Sequence, residues 1–124
     1  NNTLKKFNKK ILEESNQFKK RLINYKNQSK KIIGYGAPAR VATITNFSNI
    51  NGELIEYLVD DSKLKQGKFS PGKHIKIFSR KKMYKTKIDI VIVFAYEYFS
   101  EIKKKFKSNK IKFFKPIPFL PLKK

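Results

Sequence analysis

The densest chemical signal in the chain is Gly34-Tyr35-Gly36-Ala37-Pro38-Ala39, a G-x-G-x-x-A string set between an apolar run and a helix-like stretch. At this spacing the first glycine permits a sharp turn, the second lets a ribose or an anion approach the backbone, and the alanine lets helix and strand pack closely. A helix starting there offers unpaired N–H groups and the positive end of its dipole. Asp60 and Asp61 end a second apolar run, where a carboxylate can accept from ribose hydroxyls. On these residues alone the default ligand is a nicotinamide dinucleotide. A tight glycine turn with no ligand stays open beside it.

A second cluster follows. Lys63, Lys65, Lys68 and Lys73 are interleaved with Gly67, Pro71 and Gly72, residues that fix irregular backbone, so the loop suits an anionic ligand. Each lysine taken singly has solvent as its plainer role. His74 either donates to a sugar or phosphate oxygen or packs beside the third strand. Tyr96 and Tyr98 either stack on a base or sugar or belong to the half-buried core.

Much chemistry is excluded. Cysteine is absent, which removes disulfides, thiolate metal sites and a cysteine nucleophile. One histidine cannot build a structural zinc site, so no metal is expected here. There is no G-x-x-x-x-G-K-[ST] string and no Tyr-Lys or Cys-His pair at a credible catalytic spacing, so no catalytic residue is assigned.

The chain carries 30 Lys plus Arg against 9 Asp plus Glu, a net charge of +21. Such a field attracts polyanions. However, 27 of the basic residues are lysine, and Lys, Asn, Ile, Phe and Tyr make up 69 of 124 residues, the signature of AT-rich codons. Sequence readers of nucleic acid lean on arginine, and only Arg21, Arg40 and Arg80 are present. A diffuse lysine surface is the expectation, with no specific nucleic-acid partner; a basic nucleic-acid module is a lesser alternative. No apolar run approaches the ~20 residues that span a bilayer and no signal-peptide pattern begins the chain, so no membrane partner and a cytoplasmic location are expected. The start at Asn1 without a methionine suggests a piece of a longer chain.

These groups must be held by elements. Ile, Leu, Val and Phe number 38, enough for one folded domain. Leu4, Phe7, Ile11, Phe18, Leu22 and Tyr25 recur at helical spacing, which predicts an amphipathic helix in residues 1–29, packed on the domain or linking it to a preceding one. Strands are expected at 31–35, 54–59, 75–78, 88–94 and 111–114, and helices at 38–47 and 97–106. This alternation predicts a three-layer, Rossmann-like α/β fold: a mainly parallel sheet of about five strands, helices on both faces, occupying residues 30–118 and followed by a basic tail at 119–124.

GYGAPAR (Gly34–Arg40), EYLVDD (Glu56–Asp61), KQGKFSPGKHIKI (Lys65–Ile77), IDIVIVFAYEYFSEI (Ile88–Ile102) and KPIP (Lys115–Pro118) stand in this order. Together they resemble the C-terminal domain of bacterial sugar C-methyltransferases, S-adenosylmethionine-dependent enzymes that act on nucleotide-linked deoxysugars. The resemblance covers nearly all of Lys30–Pro118. It implies a modular enzyme, with a zinc-binding segment and an S-adenosylmethionine-binding catalytic domain upstream of these residues, and neither cofactor held by them. It implies a nucleotide-linked sugar and the upstream methyltransferase domain as partners. By position, Gly34, Tyr35, Gly36, Ala37, Pro38 and Ala39 match the family's glycine turn, and Lys65, Gln66, Gly67, Pro71, Gly72, His74 and Ile75 its loop. With Arg40, Asp60 and Tyr96 they form the expected sugar-nucleotide surface. The chain departs from the family pattern at Arg40-Val41-Ala42, Asp61 and Tyr96-Glu97. A stand-alone nucleotide or dinucleotide-binding domain is the alternative. Two substitutions should separate site from fold: Gly36→Val should block the ligand while leaving the sheet assembled, provided Gly36 has an ordinary backbone, and Ala39→Leu should overpack the helix–strand contact at a cost of roughly 1–3 kcal/mol.

Overall fold

The computed structural model describes residues 2–123; the outermost residues of the two terminal segments, Asn1 and Lys124, lie outside them. A long first helix, α1 (Asn2–Asn27), leads into strand β1 (Ile32–Tyr35) and helix α2 (Ala39–Ser48). Strands β2 (Leu58–Val59), β3 (Ile77–Phe78) and β4 (Ile90–Val93) follow, then a short helix α3 (Phe99–Ile102), β5 (Lys112–Lys115) and β6 (Leu120–Leu122). The strands form one sheet in the order β3-β2-β1-β4-β5-β6, parallel throughout except for β5 against β6. The fold is thus mixed α/β and Rossmann-like. Its strand order reverses between β1 and β4, the place where open α/β sheets form a ligand crevice.

Both faces of the sheet are covered, which is why the central strands are apolar throughout rather than alternating. Ile32, Leu58, Ile90, Ile92 and Phe114 face α1 and α2 and meet Phe18, Leu22 and Val41 there. Their strand neighbours Ile33, Val59, Val91, Val93 and Phe113 face the other way, onto Met83, Ile102 and Phe106. A buried hydroxyl pair, Ser15 Oγ to Ser48 Oγ at 2.6 Å, ties α1 to α2.

The expected elements differ from the observed ones where side chains compete for the backbone. The run 54–59 contributes only Leu58 and Val59 to the sheet, because Asn51 gathers the preceding turn: its side-chain oxygen accepts from the Glu53 N–H, and its carbonyl from those of Leu54 and Ile55. The run 75–78 is likewise shortened to 77–78, since the Ser70 hydroxyl accepts the Ile75 N–H and His74 adopts φ 54°. The helix expected over 97–106 is one α-turn flanked by 3₁₀ turns at Tyr96–Tyr98 and Lys103–Lys105. The sheet has six strands rather than about five, because residues 120–122 of the expected tail fold back on β5. Phe119 anchors this return, stacked on Phe114 with ring centroids 4.4 Å apart.

Candidate functional site

A cleft of about 380 Å³ opens at the C-terminal ends of β1 and β4, at the reversal of strand order. Tyr35, Gly36, Ala37 and Pro38 form one wall, Asp60, Asp61 and Lys65 a second. Ala95, Tyr98, Glu101, Ile102 and Lys105 close it from the β4 side. The glycine turn and the acidic end of β2, 24 residues apart in sequence, therefore meet in one place.

Gly36 makes the turn. Its φ is +87°, and a Cβ built on it would stand 2.6 Å from the Ala95 Cβ, so the two strand ends approach through the missing side chain. The ordinary backbone on which the Gly36→Val expectation depended is not there. Gly34 does not turn the chain: it lies within β1, and a Cβ there would meet Leu58 Cδ2 at 2.5 Å and Phe94 Cε2 at 2.8 Å. Its role is to admit two large side chains against the strand. Ala39 corrects a second expectation, since it is exposed at the start of α2 while Val41, two residues on, packs into the core.

The two acidic residues are engaged within the protein. Asp60 accepts from the Ala37 N–H at 2.7 Å through Oδ2 and from the Ser62 N–H at 2.8 Å through Oδ1, locking the glycine turn to the end of β2. Gln66 donates to the Asp60 carbonyl and Lys65 to the Ala37 carbonyl, both at 2.8 Å, so the loop side chains brace the same turn. Asp61 meets Arg80 Nε at 3.2 Å, Lys105 Nζ in a close ion pair, and the Tyr35 hydroxyl, which donates to it at 3.1 Å. Partial burial works to raise the Asp61 carboxyl, but the Lys105 ammonium, the Tyr35 hydroxyl and Arg80 together outweigh it and hold it below the usual carboxylate range. Burial first, then the Asp61 charge, pushes the Tyr35 phenol well above its ordinary value.

Arg40 pairs with both oxygens of Glu97, donates to the Phe94 carbonyl at 3.2 Å and lies over the Tyr96 ring at 4.6 Å. That hydrogen bond with Arg40 holds the Glu97 carboxyl below its usual range. These groups form a latch between α2 and the end of β4, outside the cleft lining. Pro71 lies in a neighbouring, more apolar hollow of about 430 Å³ on the other side of the Ala37-Pro38 ridge, where Ala39 and Lys65 also stand. Gly72 and His74 are exposed in the turn before β3, and Gly67 bends the loop at φ +84°. The structure therefore brings together Tyr35, Gly36, Ala37, Pro38, Asp60 and Lys65, with Gln66 beneath them. Gly34, Ala39, Arg40, Gly67, Pro71, Gly72, His74 and Tyr96 stand apart from that cleft. Glu101, Ile102 and Lys105 were missed by sequence reasoning; the one available signal was their spacing on a helical stretch after the fourth strand.

No side chain caps the start of α2, whose N-cap is Pro38. The cleft itself offers two lysines, carboxylates and aromatic rings, a mixture suited to a ligand with both phosphate and hydroxyl groups. Among the described residues no cluster of His, Cys, Asp or Glu could hold a metal, and no helix is long and apolar enough to cross a membrane.

The family model of the C-methyltransferase C-terminal domain matches residues 1–118. The C-methyltransferase NovU of Streptomyces niveus is 33% identical to the chain over 92 residues, which cover 72% of the chain and 22% of NovU. The chain spans about a fifth of the length of the curated relative it matches.

Proposed function

The chain belongs to the C-methyltransferase C-terminal domain family, and from that premise we propose that it is the nucleotide-sugar-binding part of a cytoplasmic, S-adenosylmethionine-dependent sugar C-methyltransferase. The observation that carries the reading is the cleft at the strand-order reversal, which Gly36 lines together with Lys65 and Lys105. Lys65 and Lys105 suit the diphosphate; Tyr98 and Glu101 suit the sugar by ring contact and hydrogen bonding. The methyl donor and the zinc of the parent enzyme belong to its other parts in this reading. The cleft residues bind and orient the acceptor, and proton abstraction beside its carbonyl falls to a base on the catalytic domain.

A stand-alone dinucleotide-binding domain is the second reading; in it a carboxylate at the end of β2 would take the ribose with the lone pairs left over, since Asp60 already accepts from two backbone N–H groups and Asp61 pairs with three side chains. Calorimetric titration with a thymidine diphosphate sugar, thymidine diphosphate and NAD tests the choice. The first two should bind and NAD should not, and Lys105→Met should weaken the diphosphates about tenfold by removing a charged donor. Tight NAD binding, or diphosphate binding indifferent to Lys105, would overturn the assignment. The chain alone should transfer no methyl group from labelled S-adenosylmethionine to any nucleotide-sugar; turnover would sink the modular reading.

A further inference from the structure

The apolar stripe of α1 is longer than the surface that covers it. Phe18 and Leu22 are fully buried, whereas Phe7, on the same helical row, is 60% exposed and Leu4 58%. Over residues 2–14 every residue except Ile11 and Glu14 is exposed. At 1.5 Å per residue, this stretch carries the helix about 20 Å past its packed half. Isolated helices of that length are marginal in water, and the spacing of Phe7 and Ile11 is that of a face meant for burial.

We propose that the overhanging stripe centred on Phe7 and Ile11 is the seat on which the methyltransferase part that precedes this domain in its parent polypeptide packs. The proposal rests on the modular part of the reading above, and not on what the cleft binds. Continuity is the first argument. The row that docks α1 onto its own sheet through Phe18 and Leu22 continues without a break in phase through Ile11 and Phe7, so one helix can serve two bodies. The family match begins at residue 1, which makes the overhang part of the domain, while about four-fifths of the curated relative lies outside the matched region.

Area and charge choose between occupants. A stable complex of free molecules buries about 800 Å² on each partner, more than a few side chains of one helical row supply. A tethered neighbour needs far less, because its effective concentration reaches the millimolar range. A second copy would also bring another +21 charges against the first. A covalently preceding domain escapes the first obstacle.

Amide hydrogen exchange of residues 2–14, measured in the complete native gene product and in the 124-residue chain, tests the seat. Exchange should be at least tenfold slower in the complete product. Phe7→Gln should abolish that protection yet shift the Tm of the 124-residue chain by no more than about 1 °C, as for a surface change. Phe18→Ala, on the buried half of the row, should lower that Tm and so show that the helix is docked. Equal exchange in both proteins would overturn the proposal. So would a native product with no preceding part, or a dimer of the 124-residue chain that Phe7→Gln dissolves. The cleft titrations are scored separately: failure of nucleotide-sugar binding with protection intact counts against the function proposed above, and the reverse outcome counts against the docking seat alone.

Discussion

Asp61 collects three partners from three different segments: Tyr35 on β1, Arg80 after β3 and Lys105 after α3. Its carboxyl is held below the usual range, so the stability it contributes is complete above its unfolded value near 4 and disappears as pH falls through the folded value. Because the side chain is 45% exposed, solvent screens the pairing and the gain over Asp61→Asn should be about 1 kcal/mol or less at pH 7. Urea melts across pH 7 to pH 2 should show the two proteins converging below about pH 4. A gap that widens in acid would reverse the assignment. The glycines give a second prediction at this scale. Gly36→Ala combines a left-handed φ with an Ala95 contact that includes backbone, whereas Gly34→Ala meets only the ends of Leu58 and Phe94. Gly36→Ala should therefore be the more damaging, with Gly34→Ala costing roughly 1–3 kcal/mol as an overpacked core does. Equal thermal melting of the two would contradict the geometry. The glycine turn and acidic strand end were legible in sequence because local spacing defines them. Lys105 was not, since 44 residues separate it from Asp61 and one lysine in a run of three resembles its neighbours.

Elements whose pattern is set by burial on one or two faces could be read directly. The long row on α1 and the unbroken apolar runs of β1 and β4 fall where periodicity puts them. Elements set by side chains bonding to backbone could not, and Asn51 and Ser70 each remove residues from a strand that composition alone extends. The last strand was hidden for another reason. Its proline-rich sequence argues against a strand in general, yet it is tolerated at an edge, where half the backbone groups face away from the sheet. At the start of α2 the sequence rule and the packing part company. Ala39→Leu should leave stability within about 0.5 kcal/mol of the parent, because the side chain points to solvent, while Val41→Ala should cost about 1–3 kcal/mol. Chemical denaturation of both variants decides it, and a destabilised Ala39→Leu beside an indifferent Val41→Ala would refute this account of the helix.

For the molecule as a whole, 30 basic residues against 9 acidic ones make self-repulsion a standing cost of compactness. Raising sodium chloride from about 10 mM to 300 mM should therefore raise the Tm, as shortening the Debye length weakens that repulsion more than the exposed ion pairs. A falling Tm would mean that the pairs dominate. The same field should bind duplex DNA weakly, without preference, and release it at moderate salt. A roughly hundredfold sequence preference in fluorescence anisotropy at physiological salt would show a reader of bases instead.

The return of the chain after Phe119 has a consequence beyond adding a strand. Any open sheet invites a neighbour to extend it, and a parallel apolar one at high concentration is a template for fibrils. Here β3 ends the sheet on one side with two residues, and β6 ends it on the other with Pro121 opposite Phe114. Proline has no N–H to offer an incoming strand, and two residues give too short a ladder to nucleate one. Pro121→Val should accordingly leave the fold intact yet shorten the lag of thioflavin-positive aggregation on agitation; an unchanged lag would mean that the edge is guarded by charge alone.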